Sequence, residues 1–268
     1  MDSLQLIVLA VVQGITEFLP ISSSGHLVLV PLLTDWPDQG LLIDVAVHVG
    51  SLGAVVLYLW RDLAAMLGGT LDWRSPGLLA HPARRLIALV VAATLPVVVA
   101  GAVLAAIGTD GLRRLDVIAW TMILFGILLY VVDQRCRTDR KLETMSFGGA
   151  LLIGSSQILA LIPGTSRAGI TMTAARWLGY DRTESARFSM LLSIPTILAA
   201  GALMAKDLYE LGELAVTRDA ALGAILAFVS AFAAIIVMMR WLRTASFTPF
   251  VVYRLVLGVV LLGVAYLA

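Results

Sequence analysis

Apolar positions in this chain fall in long unbroken runs, not in the alternating or every-third-and-fourth patterns of soluble elements. Residues 86–109, 117–132, 147–166, 188–205, 220–239 and 255–268 contain no Asp, Glu, Lys or Arg, and residues 45–60 carry only His48 besides neutral side chains. A helix needs about 20 mostly apolar residues to cross the hydrocarbon of a bilayer. Six of these runs therefore predict spanning helices, centred near residues 52, 97, 125, 197, 230 and 259, and residues 147–166 belong to an interrupted stretch. The last run is short, and it reaches full length by extending back to Val251 with Arg254 snorkelling to the membrane edge.

Two stretches interrupt the pattern. Residues 4–33 hold Pro20, Ser22, Ser23, Ser24, Gly25 and His26 at their middle, and residues 147–178 hold Pro163, Gly164, Thr165, Ser166 and Arg167. Proline and glycine at membrane depth release backbone groups that lipid cannot satisfy, so such backbone lines a protein-walled cavity. Both stretches read as re-entrant helical hairpins. They also resemble each other, with residues 18–23 (Phe-Leu-Pro-Ile-Ser-Ser) aligned on 161–166 (Leu-Ile-Pro-Gly-Thr-Ser) and 60–63 aligned on 205–208. One hairpin and three spans per half is an odd number of crossings, which inverts one half relative to the other. The expected fold is thus an all-α integral membrane protein, a single membrane domain built as an inverted repeat. Residues 1–132 form one half and 147–268 the other, each a re-entrant hairpin plus three transmembrane helices.

Composition agrees with this solvent. The 268 residues are 60% hydrophobic and 14% charged, with a net charge of +1, where soluble domains are nearer a quarter charged. The near-neutral charge argues against nucleic acid as a partner. The lone Cys136 excludes an internal disulfide and any multi-cysteine metal site. The N-terminal residues lack the features of a cleavable signal, so the first apolar stretch is expected to be retained. Counting the predicted crossings places four basic residues (Arg113, Arg114, Lys206, Arg218) on the side of the N-terminus. Fourteen lie on the other side, and Arg167 is inside the second hairpin. The positive-inside rule makes the richer side cytoplasmic. The termini and the mouth of the first hairpin then face the periplasm of a bacterial inner membrane, the second hairpin enters from the cytoplasm, and the two tips meet near mid-membrane.

The chemistry sits in those tips. Gln13 and Glu17 are four apart and share a helix face. An ionisable residue in an apolar hairpin reads as functional, and Glu17, Ser22, Ser23, Ser24 and His26 crowd one short segment. Arg167 supplies the complementary charge. Its planar fork suits phosphate oxygens, a helix beginning there would aim free N–H groups at an anion, and Ser166 and Thr171 add hydroxyls. Without ligand, Arg167 is also expected to pair with Glu17. A carboxylate beside an amide oxygen suits a hard divalent cation, Mg²⁺ or Ca²⁺, which would share a diphosphate with Arg167.

At these residues a resemblance emerges. The run from Gln13 through Glu17 to His26 resembles the (Glu/Gln)-x-x-x-Glu motif and serine-rich loop of the undecaprenyl-diphosphate phosphatase family, associated with bacitracin resistance. Residues 163–171 resemble its Pro-Gly-x-Ser-Arg-Ser-x-x-Thr motif, with Ala168 in place of the second Ser and Gln13 in place of Glu. The resemblance covers essentially the whole chain. It implies hydrolysis of undecaprenyl diphosphate, which recycles the lipid carrier of cell-wall synthesis, and it implies a homodimer. Carried over, Gln13 and Glu17 would hold or orient the metal. Ser22, Ser24, Thr165, Ser166, Arg167 and Thr171 would bind the substrate. Ser23 or His26 would be the nucleophile or its base, with a water activated by Glu17 as the other route. Inverted repeats with broken helices also occur in transporters, so flipping of a polyprenyl phosphate is the competing expectation.

Blander readings suit other residues. Asp44 and His48, four apart on one face at the start of a span, are within reach of the cavity but are expected to make a structural hydrogen bond, and Asp181, Arg182, Glu184 and Arg187 a solvated cytoplasmic turn. Asp207, Glu210 and Glu213 are expected to form a solvated acidic loop.

Overall fold

The structure is a computed structural model, and it describes residues 2–34, 36–37, 39–71, 81–107, 114–210 and 217–267. Arg74, Arg113 and Glu213 lie outside the described residues. Among those residues the regular structure is helical, with one isolated bridge joining Arg140 and Tyr180. Six helices are long and apolar enough to cross a membrane: α3 (Leu41–Tyr58), α5 (Pro82–Ile107), α6 (Leu115–Arg135), α9 (Arg182–Glu210), α10 (Arg218–Trp241) and α11 (Thr248–Leu267). These are the six predicted spans. Between them run the shorter α1 (Ser3–Phe18), α2 (Ser23–Thr34), α4 (Trp60–Leu71), α7 (Phe147–Ser156) and α8 (Arg167–Trp177).

The two interrupted stretches break for the reason the sequence suggested. Leu19 and Ile162 are extended, with ψ 147° and 119°, because the ring of a following proline disfavours the helical region. Each chain then restarts through a serine at positive φ, Ser22 at 77° and Ser166 at 70°, a region uncommon for residues with a Cβ. Both serines cap the helix they open. Ser22 Oγ accepts from the Gly25 N–H at 3.3 Å and Ser166 Oγ from the Gly169 N–H at 3.1 Å, satisfying donors that a helix start leaves orphaned. The cap geometry corrects the sequence alignment by one residue: Ser166 corresponds to Ser22, not Ser23, and Gly164 (φ 89°) is the extra residue of the second tip.

Packing follows the same exchange between halves. Helix α1 packs on α10 while α7 packs on α5, α3 packs on α10 while α9 packs on α5, and α6 and α11 pack on each other. Close approach requires glycine at equivalent points. A Cβ on Gly14 of α1 would stand 2.5 Å from the Ala227 carbonyl of α10, and one on Gly154 of α7 would stand 2.0 Å from the Ala93 carbonyl of α5. Small residues let helices approach where apolar burial alone gives no advantage over lipid. These correspondences are compatible with a duplicated, inverted half. Besides the extra Gly164, the halves differ in their third helices. Helix α3 stops at Tyr58 and α4 restarts at Trp60, whereas α9 runs unbroken through Lys206 and Leu208.

Two readings of charge change. Arg254 does not snorkel. It is 0% exposed and turned into the bundle. The 181–187 connector is not a solvated turn but part of an ion-paired end plate. Asp133, 2% exposed, accepts from Arg176 Nε at 3.0 Å, Arg182 Nε at 2.8 Å and the Phe247 N–H at 3.2 Å. Arg176, also buried, donates further to the carbonyls of Arg137 and Tyr180, and Arg187 pairs with Asp62. Asp181 caps α9 by accepting from the Glu184 N–H at 2.7 Å. One residue thus joins the ends of α6, α8, α9 and α11.

Removing one partner of a buried pair strands the other. Arg176→Met should therefore cost roughly 3–5 kcal/mol, whereas Lys206→Ala, breaking an exposed pair with Glu210, should cost under about 0.5 kcal/mol. Unfolding of the two variants in detergent measures the difference.

Candidate active site

The predicted hairpin tips do meet. Glu17 stands on the last turn of α1, Gln13 one turn earlier on the same face, Ser23 opens α2 and Arg167 opens α8. Glu17 is their common partner. Its Oε1 accepts from Arg167 Nη2 at 3.1 Å, and its Oε2 accepts from Ser23 Oγ at 2.7 Å and Gln13 Nε2 at 2.9 Å. The carboxylate is 8% exposed, a burial that an anion tolerates only when paired and hydrogen-bonded. Arg167 keeps a second contact, Nη1 to the Ser189 carbonyl at 3.3 Å, and its guanidinium lies 6.0 Å from the Phe18 ring centre.

These groups open into a cavity of about 560 Å³, lined on its polar side by Glu17, Ser23, Ser24, His48, Ser166 and Arg167. Apart from Gln157 and Thr196 the remaining wall is apolar, with Val45, Val49 and Leu52 of α3 facing Leu198, Gly201 and Ala205 of α9. A second lobe of similar volume shares Ser23, Ser24 and His48 and continues past Leu27, Pro31 and Leu104. The cavity therefore joins a charged floor to a lipid-like wall. Two helices, α2 and α8, begin at that floor, where unpaired first-turn N–H groups and the helix dipole favour an anion.

The remaining sequence candidates occupy different places. Ser22 lies beneath the floor, its Oγ engaged with Gly25 and 3.3 Å from Ser24 Oγ. Thr171 is buried behind Arg167, its hydroxyl donating to the Arg167 carbonyl at 2.8 Å and lying 2.7 Å from Ser189 Oγ. It therefore braces the arginine from behind. Thr165 is 0% exposed and its Oγ1 has no hydrogen-bond partner among the described residues. His26 is not brought to Ser23. Its Nδ1 lies 2.6 Å from the Ser22 carbonyl and its Nε2 2.5 Å from Tyr253 Oη, the rings stacked at 5.6 Å. Both ring nitrogens are engaged, and the group that Ser23 Oγ meets is Glu17.

His48 does both of the things the sequence left open for it, making the structural hydrogen bond and reaching the cavity. Its hydrogen bond with the Asp44 carbonyl, Nδ1 to oxygen at 2.7 Å, is as expected. That bond aims the other nitrogen, Nε2, to 3.9 Å from Glu17 Oε2 in the cavity. Its position midway along an apolar span was the available signal.

A hard divalent cation asks for about six oxygens. Among the described residues no three His, Cys, Asp or Glu side chains cluster, so the protein offers a partial set. Glu17 is one donor, and Gln13 Oε1, buried and without a hydrogen-bond partner, is the amide oxygen such an ion would use. Diphosphate oxygens and water would complete the shell.

Spanning helices, re-entrant tips and a carboxylate–hydroxyl–guanidinium cluster at the mouth of an apolar cavity define an integral membrane protein built to hold an anionic headgroup on a lipid tail. Residues 6–260 match the family described as "Bacitracin resistance protein BacA", and the chain belongs to that family. It is 53% identical over 267 residues to the "Undecaprenyl-diphosphatase" of Ruegeria pomeroyi, covering 99% of this chain and 100% of that one. It is 52% identical to the "Undecaprenyl-diphosphatase 1" of Rhodospirillum rubrum over 98% of this chain and 95% of that one. Against the "Undecaprenyl-diphosphatase" of Chromohalobacter salexigens it is 50% identical over 98% of each.

Glu17 competes with any anion for Arg167. With chelator present, Glu17→Gln should therefore bind inorganic diphosphate roughly tenfold more tightly than the parent, a difference near 1.4 kcal/mol. Arg167→Gln should not bind it above background. Titration calorimetry reads both.

Proposed function

We propose that the protein hydrolyses undecaprenyl diphosphate to undecaprenyl phosphate and inorganic phosphate, breaking a phosphoric anhydride and returning the lipid carrier to cell-wall synthesis. The observation that carries this reading is the contact of Ser23 Oγ with Glu17 Oε2, opposite Arg167 and inside an apolar-walled cavity. Support comes from near-50% identity, over almost the whole chain, to proteins named for that reaction.

The polyprenyl tail lies along the α3–α9 wall and the diphosphate reaches the floor, where Arg167 exchanges Glu17 for phosphate oxygens. Ser23 Oγ attacks the terminal phosphorus as Glu17 Oε2 takes its proton. The bond from phosphorus to the bridging oxygen breaks and the lipid monophosphate leaves. Water then cleaves the phosphoserine, giving inorganic phosphate and restoring Ser23. Arg167 and the first-turn N–H groups of α2 and α8 hold the equatorial oxygens, which is most of what phosphoryl transfer asks of a protein. A divalent cation, Mg²⁺ or Ca²⁺, held by Glu17 and Gln13, would neutralise charge on the diphosphate. His26 acts through its hold on the Ser22 carbonyl.

The excess of basic residues on one side supports an inner-membrane orientation with the cavity open to the periplasm. The exchanged packing of α1 and α7 supports two inverted halves, 1–132 and 147–268. A homodimer follows from the family resemblance alone.

Phosphate release from undecaprenyl diphosphate by purified protein, with and without Mg²⁺ or Ca²⁺, tests the reading. Release should be metal-stimulated and absent in Arg167→Ala. Ser23→Ala should lower kcat by at least ~10³-fold and His26→Ala by only about tenfold. Turnover retained by Ser23→Ala would transfer the attack to water, and no release from folded parent protein in any metal would leave lipid-phosphate transport as the function. In spheroplasts an impermeant maleimide should leave Cys136 unlabelled until the membrane is opened, and labelling beforehand would invert the orientation.

A further inference from the structure

Arg254, on the second turn of α11, carries a charge that the mechanism above does not use. It is 0% exposed, and among the described residues it pairs with no carboxylate. Its guanidinium instead meets backbone carbonyls alone. Nε donates to Met122 at 3.1 Å and Nη1 to Pro20 at 3.3 Å. Nη2 is shared among Thr121 at 3.3 Å, Gly164 at 3.1 Å and Thr165 at 3.0 Å. Pro20 belongs to the first re-entrant tip, Gly164 and Thr165 to the second, and Thr121 and Met122 to α6. One side chain therefore gathers oxygens of both broken segments and ties them to a spanning helix.

The carbonyls of Pro20, Gly164 and Thr165, in the broken tips, are groups that neither lipid nor helix can satisfy. A charged donor makes stronger bonds to them than a neutral one, and a rigid five-donor fork reaches two chains at once where an ammonium cannot. The contact also sets direction. A trans peptide holds its C=O and N–H antiparallel, so fixing the Thr165 carbonyl on Arg254 turns the Ser166 N–H to the opposite side. Ser166 lines the cavity and Arg167 follows it. On the other tip, Pro20 stands between Glu17 and Ser23. The surroundings leave room for this arginine, since a Cβ on Gly169 would stand 2.8 Å from Nη1.

We propose that Arg254 is a positioning residue of this active site, holding the carbonyls of both re-entrant tips so that Ser23 and Arg167 face one phosphate. The proposal rests on the phosphatase reading for its kinetic consequence, but not for its structural one. An error of about 1 Å in the placement of reacting groups costs on the order of 10²-fold in rate. Arg254→Lys keeps the charge and loses the fork. It should lower kcat roughly hundredfold while KM stays within about threefold. Hydrogen exchange should quicken together in peptides covering residues 19–25 and 162–168 and stay unchanged in α10. Where Arg254→Lys does not fold, Arg254→Gln, which keeps an amide donor but loses the charge and the fork, is measured instead with the same expectations.

Parental kcat in the folded variant would overturn the proposal. So would a lowered kcat with unchanged exchange at both tips, or a loss that tracks only the folded fraction. If the parent itself releases no phosphate, the phosphatase reading fails, and the exchange measurement still decides whether Arg254 holds the tips.

Discussion

Everything in this molecule depends on satisfying broken backbone inside the membrane. A spanning helix closes its own hydrogen bonds, but the chain between Phe18 and Ser23, and between Leu161 and Arg167, cannot. The structure supplies partners one at a time. Ser22 and Ser166 cap the helices they open, Thr121 Oγ1 donates to the Pro163 carbonyl at 2.7 Å, and the Arg254 fork takes carbonyls from both tips. Two serines at positive φ persist because the surrounding contacts over-determine them. The strained residues are therefore found where the chemistry is.

The same economy governs charge. Glu17 and Arg167 neutralise each other across the meeting point of the two hairpins, which allows the carboxylate to be buried and the guanidinium to be mostly covered before any substrate arrives. Such a pair contributes little net stability against a well-packed apolar alternative. In the proposed reaction its value would lie in exchange, since an arriving phosphate would replace one anion with another and the guanidinium would never be left bare. In the mechanism proposed above, Ser23, already on the second oxygen of Glu17, would pass its proton to that carboxylate once Arg167 turns to the phosphate.

Rigidity of the floor comes from the ends of α8. Arg167, Ser166 and the Arg254 contacts lie at its start, and Arg176 ties its finish to Asp133 and to the carbonyls of Arg137 and Tyr180. This 11-residue helix is almost wholly buried and has no apolar face for lipid. It is positioned by hydrogen bonds and ion pairs at both ends, while the spans around it pack by glycine-mediated contact.

The spans and the two interruptions were legible in the chain because hydrophobic length and proline placement are local properties, read without knowing what packs where. Glu17, Ser23 and Arg167 were legible for a related reason: a charge or hydroxyl cluster inside an apolar stretch is costly wherever it ends up, so its presence alone marks it. What each side chain touches was not local. His26 and Ser23 are three apart and looked like base and nucleophile, yet the turn at Ser22 sends the imidazole to Tyr253 and the hydroxyl to Glu17. His48 and Arg254 looked peripheral because their partners are, respectively, 31 residues away in the chain at Glu17 and more than 80 away at Thr165 and Gly164. Composition and order alone determined a membrane protein with two broken helices carrying opposite charge. Only the tertiary structure decided which groups face each other, because a buried donor or acceptor chooses its partner by proximity in space.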